Sequence, residues 1–137
     1  MAAIYLPRAM RVGAGALDQL PAALDQFGLR RPAILTDRFL AGSGLLDRVL
    51  AVLRENGIEA RAYGDVIPDP TVASVDAAVA FVAESRHDCI IGLGGGSPID
   101  TAKAVSVLVS HGGSMQERKA PHQENAPSLP IIAIPTT

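Results

Sequence analysis

The chain has 137 residues, of which 48% are apolar, 19% are charged and 4% are aromatic, and its formal net charge is −2. This length predicts a single domain with a core of Ala, Val, Ile and Leu, and the near-neutral charge argues against nucleic acid or anionic membrane as a partner. The sequence shows no secretory leader, no apolar run of membrane-spanning length and no cysteine besides Cys89, so we expect a cytoplasmic protein.

Short apolar runs alternate with segments of helical periodicity, and this alternation predicts the element order β-α-β-α-β-α-β-α-β. In chain order we expect an extended piece over 4–12, a helix over 13–28, a strand over 32–37, a helix over 42–57, a strand over 58–64, a helix after 71, a strand from 88, a helix over 97–110 and a strand over 129–135. The polar residues 111–128 are expected to form a long surface loop.

Single residues define several of the predicted helix ends. Pro21 is expected to interrupt or kink the first helix, and Gly28 to end it. We expect Ser43 to cap the second helix, Gly57 to end it, and Thr71 to cap the third. Strands that alternate with helices pair in parallel, so the predicted fold is α/β, Rossmann-like and doubly wound, with helices on both faces of a mostly parallel sheet.

A glycine-rich turn, Gly94–Gly96, follows one of the predicted strands in the stretch CIIGLGGGSPIDTAK. Ligands of open parallel sheets gather at this end of the strands, and glycines let a phosphate approach the backbone closely. With Ser97 as N-cap, Pro98 at the first helical position and Asp100 completing a capping box, the helix start suits a pyrophosphate. The alternative is that the glycines serve only tight packing of strand against helix.

Carboxylates mark the ends of other strands. Asp37 ends the strand over 32–37, where it could accept hydrogen bonds from both hydroxyls of an adenosine ribose and repel a 2′-phosphate, which favours NAD over NADP. Its alternative role is the N-cap of the following turn. Asp69 also follows a strand, in the sequence PDPT, which is typical of a rigid turn. Lys103 is expected to pair with Asp100 on the helix surface.

The stretch GLGGGSPIDTAKA resembles the signature G-G-G-S-x-x-D-x-A-K of the iron-containing (group III) alcohol dehydrogenases. Other landmarks occur in that family's order: LPR and GAGAL near the start, ILTD next, then PDPT where the family usually has Pro-Asn-Pro-Thr, and IPTT at the end. The resemblance covers essentially the whole chain. It implies the dehydroquinate synthase-like, nucleotide-binding N-terminal domain of that family, over residues 1–137.

The resemblance also implies roles for individual residues. Asp37 corresponds to the family's ligand of the adenosine ribose, and Asp69 replaces an Asn that lies beside the cofactor, which leaves the role of Asp69 open. The other positions that match cofactor-binding residues are the pyrophosphate cradle Gly95, Gly96 and Ser97, then Asp100 near the nicotinamide side, and Thr136 and Thr137 at the start of a Thr-Thr-Ala-Gly-Thr turn.

Family members continue into a helical second domain, where an Asp and three His residues hold divalent iron. No such domain follows in these residues, and His87, His111 and His122 lack the spacing of metal ligands, so we expect surface histidines and no metal or catalytic group here. The resemblance implies a full-length, homo-oligomeric oxidoreductase that uses NAD to interconvert an alcohol and an aldehyde or ketone. The chain alone is expected to be inactive.

Two alternatives remain open at this stage. The chain could be a stand-alone nucleotide-binding or interaction module without chemistry. It could also belong to a zinc-dependent relative with the same N-terminal architecture, such as glycerol dehydrogenase or dehydroquinate synthase.

Overall fold

The computed structural model describes residues 8–112 and 128–136. A short 3-10 helix covers Ala16–Gln19. The strands are β1 (Pro32–Asp37), β2 (Arg61–Val66), β3 (Cys89–Gly94) and β4 (Ile131–Pro135), and the helices are α1 (Leu20–Gln26), α2 (Arg38–Gly42), α3 (Leu45–Glu55), α4 (Val72–Ala83) and α5 (Gly96–His111). Within this described part, no helix is long and apolar enough to cross a bilayer.

The four strands form one sheet in the order β2-β1-β3-β4, and every pair of neighbours is parallel. This confirms the predicted α/β class and the parallel sheet. Residues 8–12, the described part of the predicted first extended piece, form no strand. The predicted loop 111–128 lies mostly outside the described residues.

Helices cover both faces of the sheet, as a doubly wound fold requires. Ile34 and Ile91 point into a core cluster with the apolar residues of α1 and α3, whereas Leu35 and Ile90 point into a second cluster with those of α4 and α5. Successive side chains of a strand alternate between faces, so β1 and β3 need apolar side chains on both faces. Each fully buried Leu, Ile or Val contributes about 2 kcal/mol by leaving water.

Glycines end α1 and α3 as predicted. Gly57 has a φ of 74°, and the N–H of Ile58 donates to the carbonyl of Leu53 at 2.9 Å, which is the Schellman arrangement. Gly28, with a φ of 67°, ends α1 in the same way. Because Ile58 belongs to this helix end, β2 begins at Arg61, three residues later than the predicted 58.

The N-termini of the helices give a mixed outcome. Thr71 caps α4 in a capping box with Ser74, which confirms the prediction. Pro21 lies in the first turn of α1, where the chain changes from 3-10 to α-helix, and this confirms an interruption at that point. Ser43 as the N-cap of α3 was wrong: the N-cap is Gly44, with a φ of 90°, and Ser43 ends the short helix α2 that sequence reasoning missed.

Candidate functional site

The carboxyl ends of β1 and β3 are neighbours in the middle of the sheet, at the point where the strand order reverses. The connection that leaves β1 leads to β2 on one side, and the connection that leaves β3 leads to β4 on the other. Loops that diverge in this way leave a crevice between them, and ligands of open α/β sheets bind there. Asp37 ends β1, and the glycine turn ends β3.

A buried hydrogen bond ties these two strand ends together. The hydroxyl of Thr36, which is fully buried, donates to the carbonyl oxygen of Leu93 at 2.8 Å. Thr36 precedes Asp37, and Leu93 precedes Gly94, so the bond fixes the distance between the carboxylate and the glycine turn. A buried hydroxyl needs such a partner to offset its lost contact with water.

The glycines at the end of β3 do not all serve the same purpose. A Cβ at Gly94, whose φ is 138°, would lie 2.9 Å from Cγ of Pro98 and 3.0 Å from Cδ1 of Leu40. A Cβ at Gly96 would meet no atom within 4 Å. Packing therefore explains Gly94, whereas Gly96 faces open space in which a phosphate could approach the backbone.

The start of α5 differs from the prediction. Gly95 is the N-cap, with an extended backbone and no side-chain hydrogen bond, and the helix begins at Gly96. The N-cap role of Ser97 was wrong, as was the first helical position for Pro98, because the turn at Gly94 directs the chain into the helix two residues earlier. The first N–H groups of this 16-residue helix thus have no side-chain cap and remain donors for a ligand.

Asp100 takes no part in capping. Its carboxylate lies on the exposed surface of α5, 3.8 Å from the ammonium nitrogen of Lys103. The predicted surface pair is confirmed, and a capping box at Asp100 is wrong.

Asp37 is the N-cap of α2, which confirms that alternative. Its Oδ1 accepts a hydrogen bond from the N–H of Leu40 at 2.8 Å. No other hydrogen bond or ion pair of Asp37 occurs with residues 8–112 or 128–136. Capping and ligand binding are compatible, because a carboxylate has about four lone-pair positions for hydrogen bonds.

A cleft of about 600 Å³ brings Asp37 together with Gly95, Gly96 and Ser97. This volume lies in the range of small-molecule and cofactor sites. The same cleft is lined by residues that sequence reasoning missed, namely Arg38, Phe39, Asp65, Val66, Ile67, Pro68 and, as a lining residue, Pro98. Each of these residues lies at or just after the end of a strand, or in the first turn of α5. This position at the ends of the strands is the signal that could have identified them.

The remaining predicted residues lie around the cleft rather than in its wall. Asp69 has a φ of 50° and, among the residues described, is the only one other than glycine with a positive φ. Asp and Asn tolerate this conformation better than other side chains. The N–H of Thr136 donates to the carbonyl of Gly94 at 3.1 Å, so the end of β4 adjoins the glycine turn. Thr137 lies outside the described residues.

The described residues contain no group of three or more His, Cys, Asp and Glu that could hold a metal. Residues 8–112 and 128–136 therefore do not fit an iron site. His87 is partly buried, not a solvated surface group, because its ring stacks on Phe81 with centroids 6.1 Å apart. His111 is also partly buried and contacts Ser128, whereas His122 lies outside the described residues.

Cys89 fits the prediction of a core residue. It is fully buried at the start of β3, and this burial, together with the charge of Asp88, raises the pKa of the thiol far above its ordinary value. A thiol in that state is a poor nucleophile.

Comparison with known proteins agrees with this geometry. A model of the iron-containing alcohol dehydrogenases matches residues 7–137. The chain is 38% identical over 140 residues to long-chain-alcohol dehydrogenase 1 of Geobacillus thermodenitrificans, an alignment that covers 100% of this chain and 35% of that protein.

Solved structures share the fold. The crystal structure of 1,3-propanediol oxidoreductase matches with a TM-score of 0.85 and 30% identity, over 91% of this chain and 33% of that one. Sulfoacetaldehyde reductase from Bifidobacterium kashiwanohense, solved in complex with NAD+, matches with a TM-score of 0.81 and 26% identity, over 91% and 33% of the two chains.

The chain thus spans about a third of the length of the relatives that it matches. The family match includes both halves of the cleft, the carboxylate at the end of β1 and the glycine turn at the end of β3. This chain belongs to the iron-containing alcohol dehydrogenase family.

Proposed function

We propose that this chain is the NAD-binding domain of an iron-dependent alcohol dehydrogenase. The observation that carries the proposal is the cleft between the ends of β1 and β3, where the strand order reverses; it combines the carboxylate of Asp37 with the open backbone at Gly96. The match to a structure solved with NAD+ supports the same cofactor. When bound, NAD accepts hydride from the carbinol carbon of an alcohol or, in its reduced form, returns hydride to an aldehyde or ketone.

The start of α5 is proposed to hold the pyrophosphate. Gly95, Gly96 and Ser97 line the cleft, and the first turn of the helix offers N–H groups and the positive end of the helix dipole. Because a Cβ at Gly96 would occupy empty space, the absence of a side chain there serves the ligand rather than the packing of the protein.

Asp37 is proposed to bind the hydroxyls of the adenosine ribose. It lines the cleft across from the glycine turn, and α2 holds its carboxylate in place through the bond to Leu40. A carboxylate at this position accepts hydrogen bonds from both hydroxyls and repels the 2′-phosphate of NADP. The site therefore favours NAD.

The other residues that match family positions receive supporting roles in the proposal. Thr136 adjoins the glycine turn, because its N–H donates to the carbonyl of Gly94. Thr136 and the next residue in the sequence, Thr137, are proposed to extend the cradle. Asp100 lies on the first turns of the same helix, and Asp69 follows the cleft residues Ile67 and Pro68. Both are proposed to contact the cofactor from the margin of the cleft.

Iron and the alcohol substrate are proposed to bind in a further domain of the full-length protein. We also propose that this protein is a cytoplasmic homo-oligomer. Alcohol oxidation by the 137-residue chain alone, measured with iron and NAD present, would contradict this division of labour.

Calorimetric titration of the chain with NAD and NADP tests the proposal. We expect NAD to bind and NADP to bind more weakly. If NADP binds tightly and NAD binds weakly, the proposed role of Asp37 is wrong. If neither dinucleotide binds, the proposed function is wrong.

A further inference from the structure

Strand β2 contains a bulge next to the cleft. Its register with β1 runs from Leu35 opposite Tyr63 to Asp37 opposite Val66, so β1 advances by two residues while β2 advances by three. Tyr63 and Val66 also pack in the same core cluster, although residues three apart on a regular strand point to opposite faces. The extra residue therefore lies between them, and a bulge of this kind changes the direction of the side chains within it.

The two residues inside the bulge are Gly64 and Asp65. A Cβ at Gly64 would lie 3.1 Å from the Cβ of Ala41, so α2 packs closely against this part of β2. Asp65 lines the cleft and remains 58% exposed. The bulge thus brings a second carboxylate to the end of the sheet that carries Asp37.

Asp65 contacts the residue that follows Asp37 in the chain. The guanidinium Nε of Arg38 donates to Oδ1 of Asp65 at 2.7 Å, and both side chains line the cleft. The pair joins the start of α2 to the bulge of β2. No other described side chain forms an ion pair with Arg38.

An arginine at this place has a consequence for the choice of cofactor. In dinucleotide-binding folds an Arg near the adenosine ribose accommodates the 2′-phosphate of NADP, whereas an acidic residue selects NAD. Arg38 by itself would oppose the effect of Asp37. Its side chain is 88% exposed and is restrained chiefly by Asp65.

We propose that Asp65 is a specificity-determining residue, which holds and neutralises Arg38 so that the cleft discriminates against a 2′-phosphate. This role rests on the proposed NAD site, which it deepens. The bulge is the device that places Asp65, because a regular strand would direct that side chain to the other face.

The test compares NAD and NADP affinities of the wild-type chain and Asp65→Asn by calorimetry. Asn keeps the shape of the side chain and removes its charge, so Arg38 becomes free to meet a 2′-phosphate. Exposed ion pairs change equilibrium constants by up to about fivefold. We expect NADP affinity to rise about threefold to fivefold and NAD affinity to change little.

Two further variants separate Arg38 from a general effect of charge. Arg38→Gln combined with Asp65→Asn removes the proposed phosphate partner and should abolish the gain in NADP affinity. Glu84→Gln breaks the exposed pair between Glu84 and Arg61, 3.2 Å apart and outside the cleft lining, and should leave the NADP to NAD ratio unchanged.

The outcomes distinguish a failure of the proposed role of Asp65 from a failure of the proposed NAD site. If wild type binds NAD but Asp65→Asn has the wild-type ratio, or if Glu84→Gln raises NADP affinity equally, the role of Asp65 is wrong and the NAD site stands. If wild type binds neither dinucleotide, the proposed function fails and the role of Asp65 fails with it. Circular dichroism of each variant verifies that the fold is retained.

Discussion

The hydroxyl of Thr36 donates a buried hydrogen bond to the carbonyl of Leu93 at 2.8 Å, and this bond links the two strand ends that form the cleft. One of these ends carries the carboxylate of Asp37 and the other carries the glycine turn. The position of the proposed ribose site relative to the proposed pyrophosphate site is thus set within the core of the sheet.

Replacing Thr36 with Val keeps the shape of the side chain and removes this bond. We expect the free energy of unfolding to fall by about 1 kcal/mol, the usual net contribution of a hydrogen bond, and NAD to bind more weakly. Thr101→Val is the matched control, because the buried Thr101 hydroxyl has no hydrogen-bond partner among the residues described. Urea denaturation in which the control loses as much stability as Thr36→Val would contradict this account.

Gly96→Ala should separate binding from folding. Its Cβ meets no protein atom, so the unfolding free energy should not fall and should rise by about 0.4–1 kcal/mol, because alanine restricts the unfolded chain more than glycine does. The methyl group would stand where the pyrophosphate is proposed to approach the backbone, so NAD affinity should fall about tenfold or more. Calorimetry and urea denaturation measure the two effects on the same sample.

Gly94→Ala provides the opposite case. Its Cβ would lie 2.9 Å from Pro98 and 3.0 Å from Leu40 at a φ of 138°, and the backbone strain alone costs about 1–3 kcal/mol. We therefore expect the unfolding free energy of Gly94→Ala to fall, in contrast to that of Gly96→Ala. Equal effects of the two substitutions on stability would refute the distinction between the glycines.

Two variants of Asp37 should distinguish its role as the N-cap of α2 from the effect of its charge on cofactor preference. Asn caps helices as well as Asp does, so Asp37→Asn should keep the wild-type stability but lose the preference for NAD over NADP. Asp37→Ala removes the bond to Leu40 as well and should lower the unfolding free energy by about 1 kcal/mol. Unchanged cofactor preference in Asp37→Asn would restrict this residue to capping.

Acid stability should depend on Asp88. Burial by itself would raise the pKa of Asp88, but the N–H groups of Arg30 and Arg31, which donate at 2.7 and 2.8 Å, lower it below its ordinary value. A folded-state pKa below the unfolded value of about 3.9 means that this stabilisation is present above pH ~4 and is lost as the pH falls through the folded-state pKa.

The measurement is urea denaturation of wild type and Asp88→Asn at pH 7 and at several pH values below about 4. We expect the variant to be about 1–3 kcal/mol less stable at pH 7, since hydrogen bonds to a charged group are lost, and to converge with wild type in acid. Asp76→Asn, on the exposed surface of α4, is the control. A constant difference at every pH would contradict the assigned role.

The strands of the fold could be predicted because β1 and β3 are buried on both faces and therefore form continuous apolar runs. The helix α2 could not, because its five residues, RFLAG, are too few to show a period. The start of β2 was misplaced because Ile58 is apolar for a different reason: it packs at the end of α3.

In the candidate site, too, some residues could be predicted from the sequence and others could not. Asp37 and the glycine turn were identifiable, since each directly follows an apolar strand, and the sheet order brings them together. Arg38 and Asp65 were missed, because their contact depends on a bulge in the pairing of two strands that are distant in sequence. Ser97 and Pro98 carry a local capping signal, which the turn at Gly94 overrides.

The most direct test of the central claim is an NMR titration of the isotope-labelled chain with NAD. If the cleft is the cofactor site, the largest shifts of backbone amide signals should occur at Asp37 and the start of α2 and at Gly95, Gly96 and Ser97, while Asp88 at the opposite end of the sheet stays unchanged. Shifts centred on Asp88, or no shifts at the glycine turn when NAD is bound, would contradict the account.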